Sequence, residues 1–323
     1  MAERLRNISK QDVKRFCGEN AAFIAFIALV ITAIILRGDV FLTPTNIINV
    51  LRHNAVVGII ALGMTLVIVL GEIDLAVGAK LVLIGWIILE VFNATQNIFL
   101  TIVVGLIVGA ITGSLQGVLV AKLAMPSFIV TLGMMTIYRS IAQYALRGGG
   151  LMVGGESYAS YLHISRGDIF GIPLPIYYWI ILSFLMFLFT SHTAVGRHMY
   201  AIGSNKKAAM LSGINVDRIK ILAFAMCGVM VALAAVAETS RIGAINSASS
   251  GLTHNMDAIA AVVIGGASLG GGRGRIIGTF FGVMTLGVIT NMLNLVGVNP
   301  FLFGAARGAI VIAAIFLQKR LDS

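Results

Sequence analysis

The chain alternates between long, mostly apolar runs and short polar stretches. Uncharged runs cover 20–36, 54–71, 91–121, 123–138, 169–196, 221–237, 258–272 and 276–306. Each run has about the length of one helix across a ~30 Å hydrocarbon layer, or of a hairpin of two such helices. Backbone groups in lipid must find hydrogen-bond partners within their own segment, and the runs lack the alternation of barrel strands. The pattern therefore predicts an all-α polytopic membrane protein.

Prolines at the starts of segments divide these runs into about ten transmembrane helices. We place the helices at 20–36, 55–70, 75–92, 98–121, 127–145, 175–190, 219–238, 256–269, 276–294 and 301–317. Residues 1–19 form a basic leader, and residues 193–218 form the one long basic loop between helices. Nothing indicates an attached soluble domain, so residues 1–323 are predicted to form a single transmembrane domain.

Composition and charge support this assignment. Hydrophobic residues make up 58% of the 323 and charged residues 11%, whereas about a quarter of a soluble chain is charged. The net charge of +10 does not indicate a nucleic-acid partner, because the basic residues are scattered over loops without interleaved aromatic residues. Eleven of the 23 basic residues fall in the leader, in the 193–218 loop and at positions 319 and 320. The positive-inside rule then places both termini and that loop in the cytoplasm.

The 193–218 loop contains a short helix-forming run at 204–212, which carries two lysines on one side and an apolar face on the other. The run and its flanking glycine comprise Ser204, Asn205, Lys206, Lys207, Ala208, Ala209, Met210, Leu211, Ser212 and Gly213. Ala209, Met210 and Leu211 form the predicted apolar face. Two interpretations are open: a helix that rests on lipid headgroups, or a docking helix that inserts into a cytosolic partner.

Four glycines repeat every fourth residue along the predicted helix at 98–121. They are Gly105, Gly109, Gly113 and Gly117. Small residues at this spacing form one smooth stripe, which lets a neighbouring helix approach closely. The stripe therefore predicts tight helix packing and indicates no ligand.

Three carboxylates interrupt apolar sequence and are candidates for a gate or for the lining of a pathway. Asp74 suits a cap for the helix that follows it, in which case asparagine would serve about as well. Ionisable groups at membrane depth, by contrast, usually face a cavity or a partner, so both interpretations of Asp74 stay open. Glu72 has no evident partner, and a solvated inner loop is favoured for it. Asp257, at the start of its helix, also suits an N-cap.

No pattern in the sequence indicates catalysis. No phosphate-binding G-x-x-x-x-G-K-[ST] sequence occurs, and the histidines and the two cysteines lack the spacing of metal ligands. We therefore expect a non-enzymatic protein without a cofactor, a metal or an ATP site of its own. A stand-alone channel or a secondary transporter is the alternative to a subunit of a larger transporter. Against it, no predicted helix carries the chain of ionisable residues that an ion-coupled carrier uses.

Two short amphipathic stretches suggest a weak internal symmetry. Residues 45–52 and 206–213 each precede a predicted helix, and an odd number of helices between them would place them on opposite membrane faces. This arrangement is typical of an inverted-topology repeat, although chance is an equally good explanation.

Several sequence blocks, in order along the chain, resemble bacterial ABC sugar-importer permeases of the ribose type. The blocks are GMTLV at 63–67, IDL at 73–75, TAVGR at 193–197, YAIG at 200–203, LSGIN at 211–215 and DAIAAV at 257–262. The resemblance implies a type II importer-like fold in the bacterial cytoplasmic membrane. It also implies a homodimer that docks two cytosolic ATPase subunits, which use the ATP, through the 193–218 coupling loop. A soluble extracytoplasmic binding protein would deliver a ribose-like monosaccharide.

The chain departs from that family's pattern at a few positions. Glu72 stands where the family usually has a small residue, and Ala76 stands where it usually has serine. Residues 254–256 read His-Asn-Met in place of the frequent Tyr-Glu-Leu. These departures leave the transport prediction intact but leave the identity of the sugar open.

Overall fold

The computed structural model describes residues 21–299, 302–306 and 308–309, which are mostly helical. The helices are α1 Ala21–Phe41, α2 Pro44–Val69, α3 Val77–Thr95, α4 Ile98–Ala121, α5 Ser127–Ala145, α6 Tyr158–Arg166, α7 Leu174–His192, α8 Ala194–Ser204, α9 Lys206–Leu211, α10 Val216–Ile242, α11 His254–Ile264 and α12 Ile276–Leu295. Strands β1 (Gly150–Met152) and β4 (Ala244–Asn246) pair antiparallel, and β2 (Asp168–Ile169) pairs with β3 (Ile172–Pro173).

The prediction of an all-α polytopic membrane protein is confirmed. Among the described residues, seven helices are long and apolar enough to cross a membrane: α1, α2, α3, α4, α7, α10 and α12. The predicted helix at 127–145 coincides with α5. The predicted helix at 301–317 and the leader at 1–19 lie largely outside the described residues.

The predicted membrane span at 256–269 is wrong, because α11 has only 11 residues and ends at Ile264, with Gly265 as its C-cap. A helix of this length rises about 16 Å, roughly half the hydrocarbon thickness. Beyond it the backbone adopts positive φ at Gly266, Gly271 and Gly272. Glycine tolerates this conformation and a helix does not contain it, so the chain turns back inside the bundle and enters α12.

Helices α2 and α10 form the centre of the bundle. The middle and the last part of α2 are buried from Ala55 to Val69, with the exception of Val57. On α10, Gly228 faces α4, and a Cβ on Gly228 would overlap the carbonyl oxygen of Gly109. The two backbones are therefore in direct contact, which only small residues permit.

The glycine stripe of α4 faces two neighbours. A Cβ on Gly109 or Gly113 would overlap carbonyl oxygens of α10, and one on Gly117 would lie 2.7 Å from the Cα of Ile221. Gly105 instead faces α3, where a Cβ would lie 2.9 Å from Ile88. All four glycines are buried. Larger residues at these positions would force α4 away from its neighbours.

The bundle has two ends with different chemistry. One end, the α8–α9 end, carries the 70–76 loop, helices α8 and α9, and the glycine-rich 265–275 turn. The other, the chamber end, carries the start of α2, the ends of α10 and α12, and helix α6. Arg166 of α6 donates to the carbonyl oxygens of Arg241 and Ile242 and so caps the end of α10.

The two stretches that suggested internal symmetry lie at opposite ends of the bundle, but they differ in local structure. Residues 45–52 form the first turns of α2 without a break. Residues 206–213 instead form the separate helix α9 and a turn through Gly213, whose φ is +80°. An inverted repeat thus stays a prediction. The two stretches support it only by lying at opposite ends of the bundle.

Candidate functional site

The loop that connects α2 to α3 carries two carboxylates, and each is paired with a lysine. Glu72 forms a salt bridge with Lys220 near the start of α10. Asp74 accepts a hydrogen bond from Lys80 of α3, with 2.6 Å between Oδ2 and Nζ. Backbone groups of Ile73, between the two carboxylates, bond to Ser127 and Thr131 of α5. The loop is therefore fixed to α3, α5 and α10 together.

The interpretation of Asp74 as a cap in a solvated loop is wrong, because neither Asp74 nor Lys80 is exposed at all. Asp74 does accept from the N–H of Ala76 at 2.9 Å, but α3 has no side-chain cap. Gln116 and Cys227 approach the same carboxylate, at 3.4 Å and 3.9 Å. A charge this far from water needs an opposite charge beside it, and Lys80 supplies one.

The expectation that Glu72 lies free in solvent is wrong as well, since its side chain is largely buried against Lys220. The sequence could not reveal this pair, because 148 positions separate its two members. The ammonium group of Lys220 ties the base of α10 to the 70–76 loop.

A glycine junction joins α8 to α2 and to the 265–275 turn. The N–H of Gly272 donates to the carbonyl oxygen of Val69 at 2.8 Å. A Cβ on Gly203, near the end of α8, would overlap that same oxygen. The hydroxyl of Tyr200 donates to the carbonyl oxygen of Gly274 at 2.9 Å. Movement of α8 would therefore be transmitted to α2 and, through the turn, to α12.

Helix α9 is shorter than the run predicted at 204–212. Ser204 ends α8, and Asn205 breaks the helix and caps α9 by accepting from the N–H of Ala208 at 3.0 Å. Only Lys206–Leu211 form α9, and Ser212 and Gly213 belong to the turn behind it. The conformation of Asn205, with φ near −157°, sets the angle between the two helices.

The predicted apolar face of α9 is divided between two sides of the helix. Ala209 is 4% exposed and packs inward, so the prediction that it shares one apolar face with Met210 and Leu211 is wrong. Met210 and Leu211 point away from the protein and are 57% and 91% exposed. A groove of about 380 Å³ lies beside them, lined in part by Lys206, Met210 and Asp217.

At the other end of the bundle a polar cavity of about 430 Å³ lies between α2, α10 and α12. We call it the chamber; its polar lining includes Asn49, Arg52, Asn54, Arg241, Thr290 and Asn294. A smaller cavity of about 70 Å³ shares His53, Asn54, Arg241 and Thr290 with the chamber and extends it toward α11. Its further lining includes Val56, Glu238, His254, Asp257 and Leu286.

Charged groups in the smaller cavity are partly paired. His254 Nε2 lies 2.9 Å from Glu238 Oε2. Asp257 accepts from the hydroxyl of Thr253 at 2.9 Å. Thr253 is the N-cap residue of α11, so the interpretation of Asp257 as the N-cap is wrong. Instead, Asp257 lies in the first turn and lines the cavity.

The three candidate carboxylates do not form one site. Asp257 lies at the chamber end, whereas Glu72 and Asp74 lie at the α8–α9 end. Sequence reasoning missed most of the polar lining: His53, Asn54, Glu238, Arg241, His254 and Thr290. The spacing of polar residues along a helix could have indicated part of this lining. Polar residues recur on one face of α12 at Thr290 and Asn294, which are four residues apart.

A family model described as the permease component of a branched-chain amino acid transport system matches residues 46–315. The chain belongs to this family. The permease also resembles curated relatives along nearly its whole length. It is 41% identical to the ribose import permease of Bacillus subtilis (strain 168). The alignment spans 298 residues and covers 92% of each chain.

Two further relatives are named as permeases for different monosaccharides. The ribose import permease of Escherichia coli (strain K12) is 34% identical over 95% of each chain. The D-allose transport permease of the same strain is 33% identical over 92% of this chain and 91% of its own. No solved structure matches. These matches confirm the resemblance to permeases of the ribose type.

The permease is thus a multi-pass protein of the bacterial cytoplasmic membrane, and it carries two separate candidate sites. Within the described residues, no group of three or more His, Cys, Asp or Glu side chains could hold a metal ion. The chamber offers amide, hydroxyl, guanidinium and imidazole groups, which suit reversible binding of a polar solute. The α8–α9 end offers an exposed apolar surface on a rigid junction, which suits a protein partner.

Proposed function

We propose that the permease is the membrane subunit of an ATP-binding-cassette importer that carries a ribose-like monosaccharide into the cytoplasm. The observation that carries this proposal is the 41% identity to a ribose import permease over 92% of both chains. The relatives include both ribose and D-allose permeases, so the cargo class is a monosaccharide.

The chemistry of the chamber favours a sugar over a branched-chain amino acid, which the family's description would suggest. Asn49, Asn54, Thr290 and Asn294 present amide and hydroxyl groups, and these pair with the hydroxyls of a sugar. An aliphatic side chain in the chamber would cover such groups without giving them hydrogen-bond partners, which is unfavourable. The chamber volume of about 430 Å³ lies within the range of sites for small solutes.

The energy for transport comes, in this proposal, from two cytosolic ATPase subunits bound to a homodimer of the permease. Helix α9 is the docking element, because Met210 and Leu211 expose apolar side chains next to a groove. A few well-packed residues carry most of the binding energy of a protein interface, and in this proposal Met210 and Leu211 are those residues. A soluble binding protein outside the membrane delivers the sugar at the chamber end.

Reconstitution in liposomes tests the proposal. The permease, the ATPase and the binding protein encoded beside it are combined with labelled ribose, and uptake is measured with and without ATP. We expect uptake only when all three proteins and ATP are present. Uptake driven by a proton or sodium gradient without the ATPase would make the permease a secondary transporter. Uptake of leucine in place of ribose would refute the sugar assignment.

The orientation is tested separately by cysteine labelling in intact cells, in a Cys17→Ser background, where the remaining native Cys227 is buried. The distribution of lysine and arginine puts α9 in the cytoplasm. A hydrophilic maleimide should therefore label Gly149→Cys, at the chamber end, and leave Ser204→Cys unlabelled until the membrane is opened. The reverse pattern would invert the proposed topology.

A further inference from the structure

The segment between α6 and α7 folds into a hairpin whose tip is apolar and exposed. In this β2–β3 hairpin, Ile169 pairs with Ile172, and the loop between them consists of Phe170 and Gly171. Directly opposite residues of an antiparallel pair place their side chains on the same face, so the two isoleucines lie side by side. Both are exposed, and Phe170 is 97% exposed. Three large apolar side chains thus project from one short hairpin.

Phe170 has a backbone conformation that large residues avoid. Its φ is +55°, and that of Gly171 is +76°. Positive φ at both central residues is typical of the tight turns that close two-residue hairpins, where asparagine or glycine is preferred because a larger side chain is crowded by the backbone. The N–H of Gly171 donates to the carboxylate of Asp168 at 3.2 Å and holds the turn. A phenyl ring that strains its turn and packs against little of its own chain indicates a contact outside the protein.

Two hydrogen bonds set the position of the hairpin on α7. At its base, the N–H of Leu174, the first residue of α7, donates to the carbonyl oxygen of Gly167 at 3.0 Å. Nearer the tip, the hydroxyl of Tyr177 donates to the carbonyl oxygen of Ile169 at 2.9 Å. Tyr177 lies almost one turn into α7, so this second bond holds β2 over the side of α7 that carries Tyr177.

That side of α7 faces away from the bundle. Ile181, Phe184 and Leu188 follow Tyr177 at spacings that place all four residues on one helix face, and these three side chains are exposed. Helix α7 is long and apolar enough to cross a membrane. An outward apolar face on such a helix contacts lipid chains, so the hairpin leans over the lipid-facing side of α7.

We propose that the β2–β3 hairpin is a membrane anchor, in which Ile169, Phe170 and Ile172 insert into phospholipid beside the outer end of α7. The 19 residues of α7 rise about 28 Å, close to the ~30 Å thickness of the hydrocarbon layer, so Leu174 lies near its boundary. The tip is three residues from Leu174 and reaches at most about 10 Å from it. The headgroup layer is roughly 5–8 Å thick on each side. A hairpin that leans sideways over α7 therefore stays within this layer or below it.

The chemistry of the hairpin favours lipid over a soluble protein. Interfaces with soluble proteins surround an apolar centre with a polar rim. Among residues 168–173 only Asp168 is ionisable, and its carboxylate accepts from the turn. Tyr177 and Tyr178, at the start of α7, combine an apolar ring with a polar hydroxyl, as is typical of residues at the membrane–water interface. The anchor thus extends a lipid contact that α7 already makes.

Helix α6 connects the anchor to the end of α10. The hydroxyl of Ser165 donates to the carbonyl oxygen of Ala237 at 2.9 Å and accepts from Ser240 at 2.7 Å. Tyr161 shares a hydrogen bond of 2.7 Å with Thr239. An anchored hairpin therefore fixes the level of the chamber end of α10 in the membrane. This inference goes beyond the proposed function and holds whichever solute is carried.

Spin labels test the anchor in a bilayer and need no transport. Ile169→Cys and Ile172→Cys are made singly in a Cys17→Ser background, where the remaining Cys227 is buried. Each variant receives a nitroxide and is placed in liposomes of phosphatidylethanolamine and phosphatidylglycerol. Power saturation then measures collisions of the label with oxygen, which concentrates in lipid, and with a nickel chelate, which stays in water. We expect the ratio of oxygen to chelate collisions to favour oxygen severalfold at both positions.

Two further labelled positions calibrate the ratio. Ile181→Cys, on the exposed face of α7, gives the value for lipid. Glu156→Cys, at an exposed charged position before α6, gives the value for water. The two hairpin labels should lie nearer to the value at Ile181 than to that at Glu156.

The role of Phe170 is tested with the Ile172→Cys label as the reporter. Burial of one phenylalanine side chain in hydrocarbon favours the inserted position by roughly ten- to a hundredfold. Phe170→Asp should therefore shift the ratio toward the value at Glu156, whereas Phe170→Leu should retain most of the lipid contact. If Phe170→Asp does not fold, Phe170→Gly replaces it, because glycine suits the positive φ and also lacks the ring. The same direction of change is expected.

Three outcomes would overturn the anchor. Chelate collisions that exceed oxygen collisions at both hairpin positions would place the hairpin in water, and their loss on addition of the soluble binding protein would assign the hairpin to that partner. Few collisions with either reagent would show that protein covers the hairpin, as in contact with a second copy of the chain. An unchanged ratio in Phe170→Asp would exclude Phe170 as the anchor. Failure of the complete importer to take up ribose would refute the proposed function and leave these ratios as they are.

Discussion

Asp74 and Lys80 form an ion pair that is closed to solvent on every side, with 2.6 Å between Oδ2 and Nζ. The two residues are six positions apart, and the start of α3 folds Lys80 back over the loop that carries Asp74. An ion pair of this kind contributes little net stability over a well-packed apolar pair, but removal of one partner leaves an uncompensated buried charge.

Asp74→Asn should therefore destabilise the permease, although asparagine could replace an aspartate that served only as a cap. The expected loss is about 3–5 kcal/mol, and Lys80→Met should cost a similar amount. The double variant Asp74→Asn with Lys80→Met should recover most of the loss, because both charges disappear together. Thermal unfolding of the four proteins in detergent gives the coupling energy. Additive losses would show that the two side chains do not act as a pair.

The salt bridge between Glu72 and Lys220 joins the 70–76 loop to the base of α10, four residues beyond its first residue. We expect Lys220→Met to lower the amount of sugar imported per ATP hydrolysed, because the loop would no longer follow α10. Stability should fall by only about 1.5–3 kcal/mol, the usual range for a hydrogen bond to a charged group. Exchange of the two residues, Glu72→Lys with Lys220→Glu, should restore part of the coupling.

Arg218→Met is the matched control for this experiment. Arg218 is a basic residue two positions before Lys220, but it is exposed. Its replacement should change neither the import ratio nor the melting temperature. If Arg218→Met lowered the ratio as much as Lys220→Met, the effect would come from the charge of the region and not from the salt bridge.

Hydropathy predicted the fold well because a membrane helix satisfies its own backbone hydrogen bonds. The predicted ranges 98–121 and 127–145 coincide with α4 and α5. The prediction failed at α11, where an apolar composition concealed a glycine-rich turn. Glycine can belong to a helix or to a turn, and only the positive φ angles of Gly266 and its neighbours decide between the two.

The sites were harder to predict than the helices, because their members are distant in sequence. The chamber combines α2, α10 and α12, and Asn54 meets α12 at Gly287, where a Cβ would overlap its amide group. No local pattern around Asn54 reveals that contact. The glycines of α4 were informative because their spacing is local, and they identify a packing face without naming the partner helix.

The glycine stripe gives a prediction with an internal control. Gly113→Leu should destabilise the permease by at least the roughly 1–3 kcal/mol typical of overpacking, since its Cβ would overlap the carbonyl oxygen of Phe224. Gly109→Leu should behave alike. Gly133→Leu in α5 should be tolerated, because nothing lies within 4 Å of its Cβ position. The measurement is the melting temperature of each variant in detergent. A wild-type value for Gly113→Leu would contradict close packing of α4 against α10.

The exposed side chains of α9 give the last prediction. Met210→Asp together with Leu211→Asp should abolish stable association with the ATPase, because charged groups would replace the two apolar anchors. Both side chains point away from the bundle, so membrane insertion and melting temperature should stay unchanged. Ala209→Asp should behave differently and destabilise α8 and α9, since Ala209 packs inward. Co-purification of the ATPase with each variant is the measurement.

Ser212→Asp is the control, because it introduces a charge at an exposed position directly beside α9. ATPase association should survive it. If the Met210 and Leu211 variant still bound the ATPase and imported sugar, α9 would not be the docking element. Loss of liposome binding by a peptide of residues 204–213 carrying the same two changes would then favour a helix that rests on lipid headgroups. Loss of ATPase association alone, with insertion intact, supports docking through Met210 and Leu211.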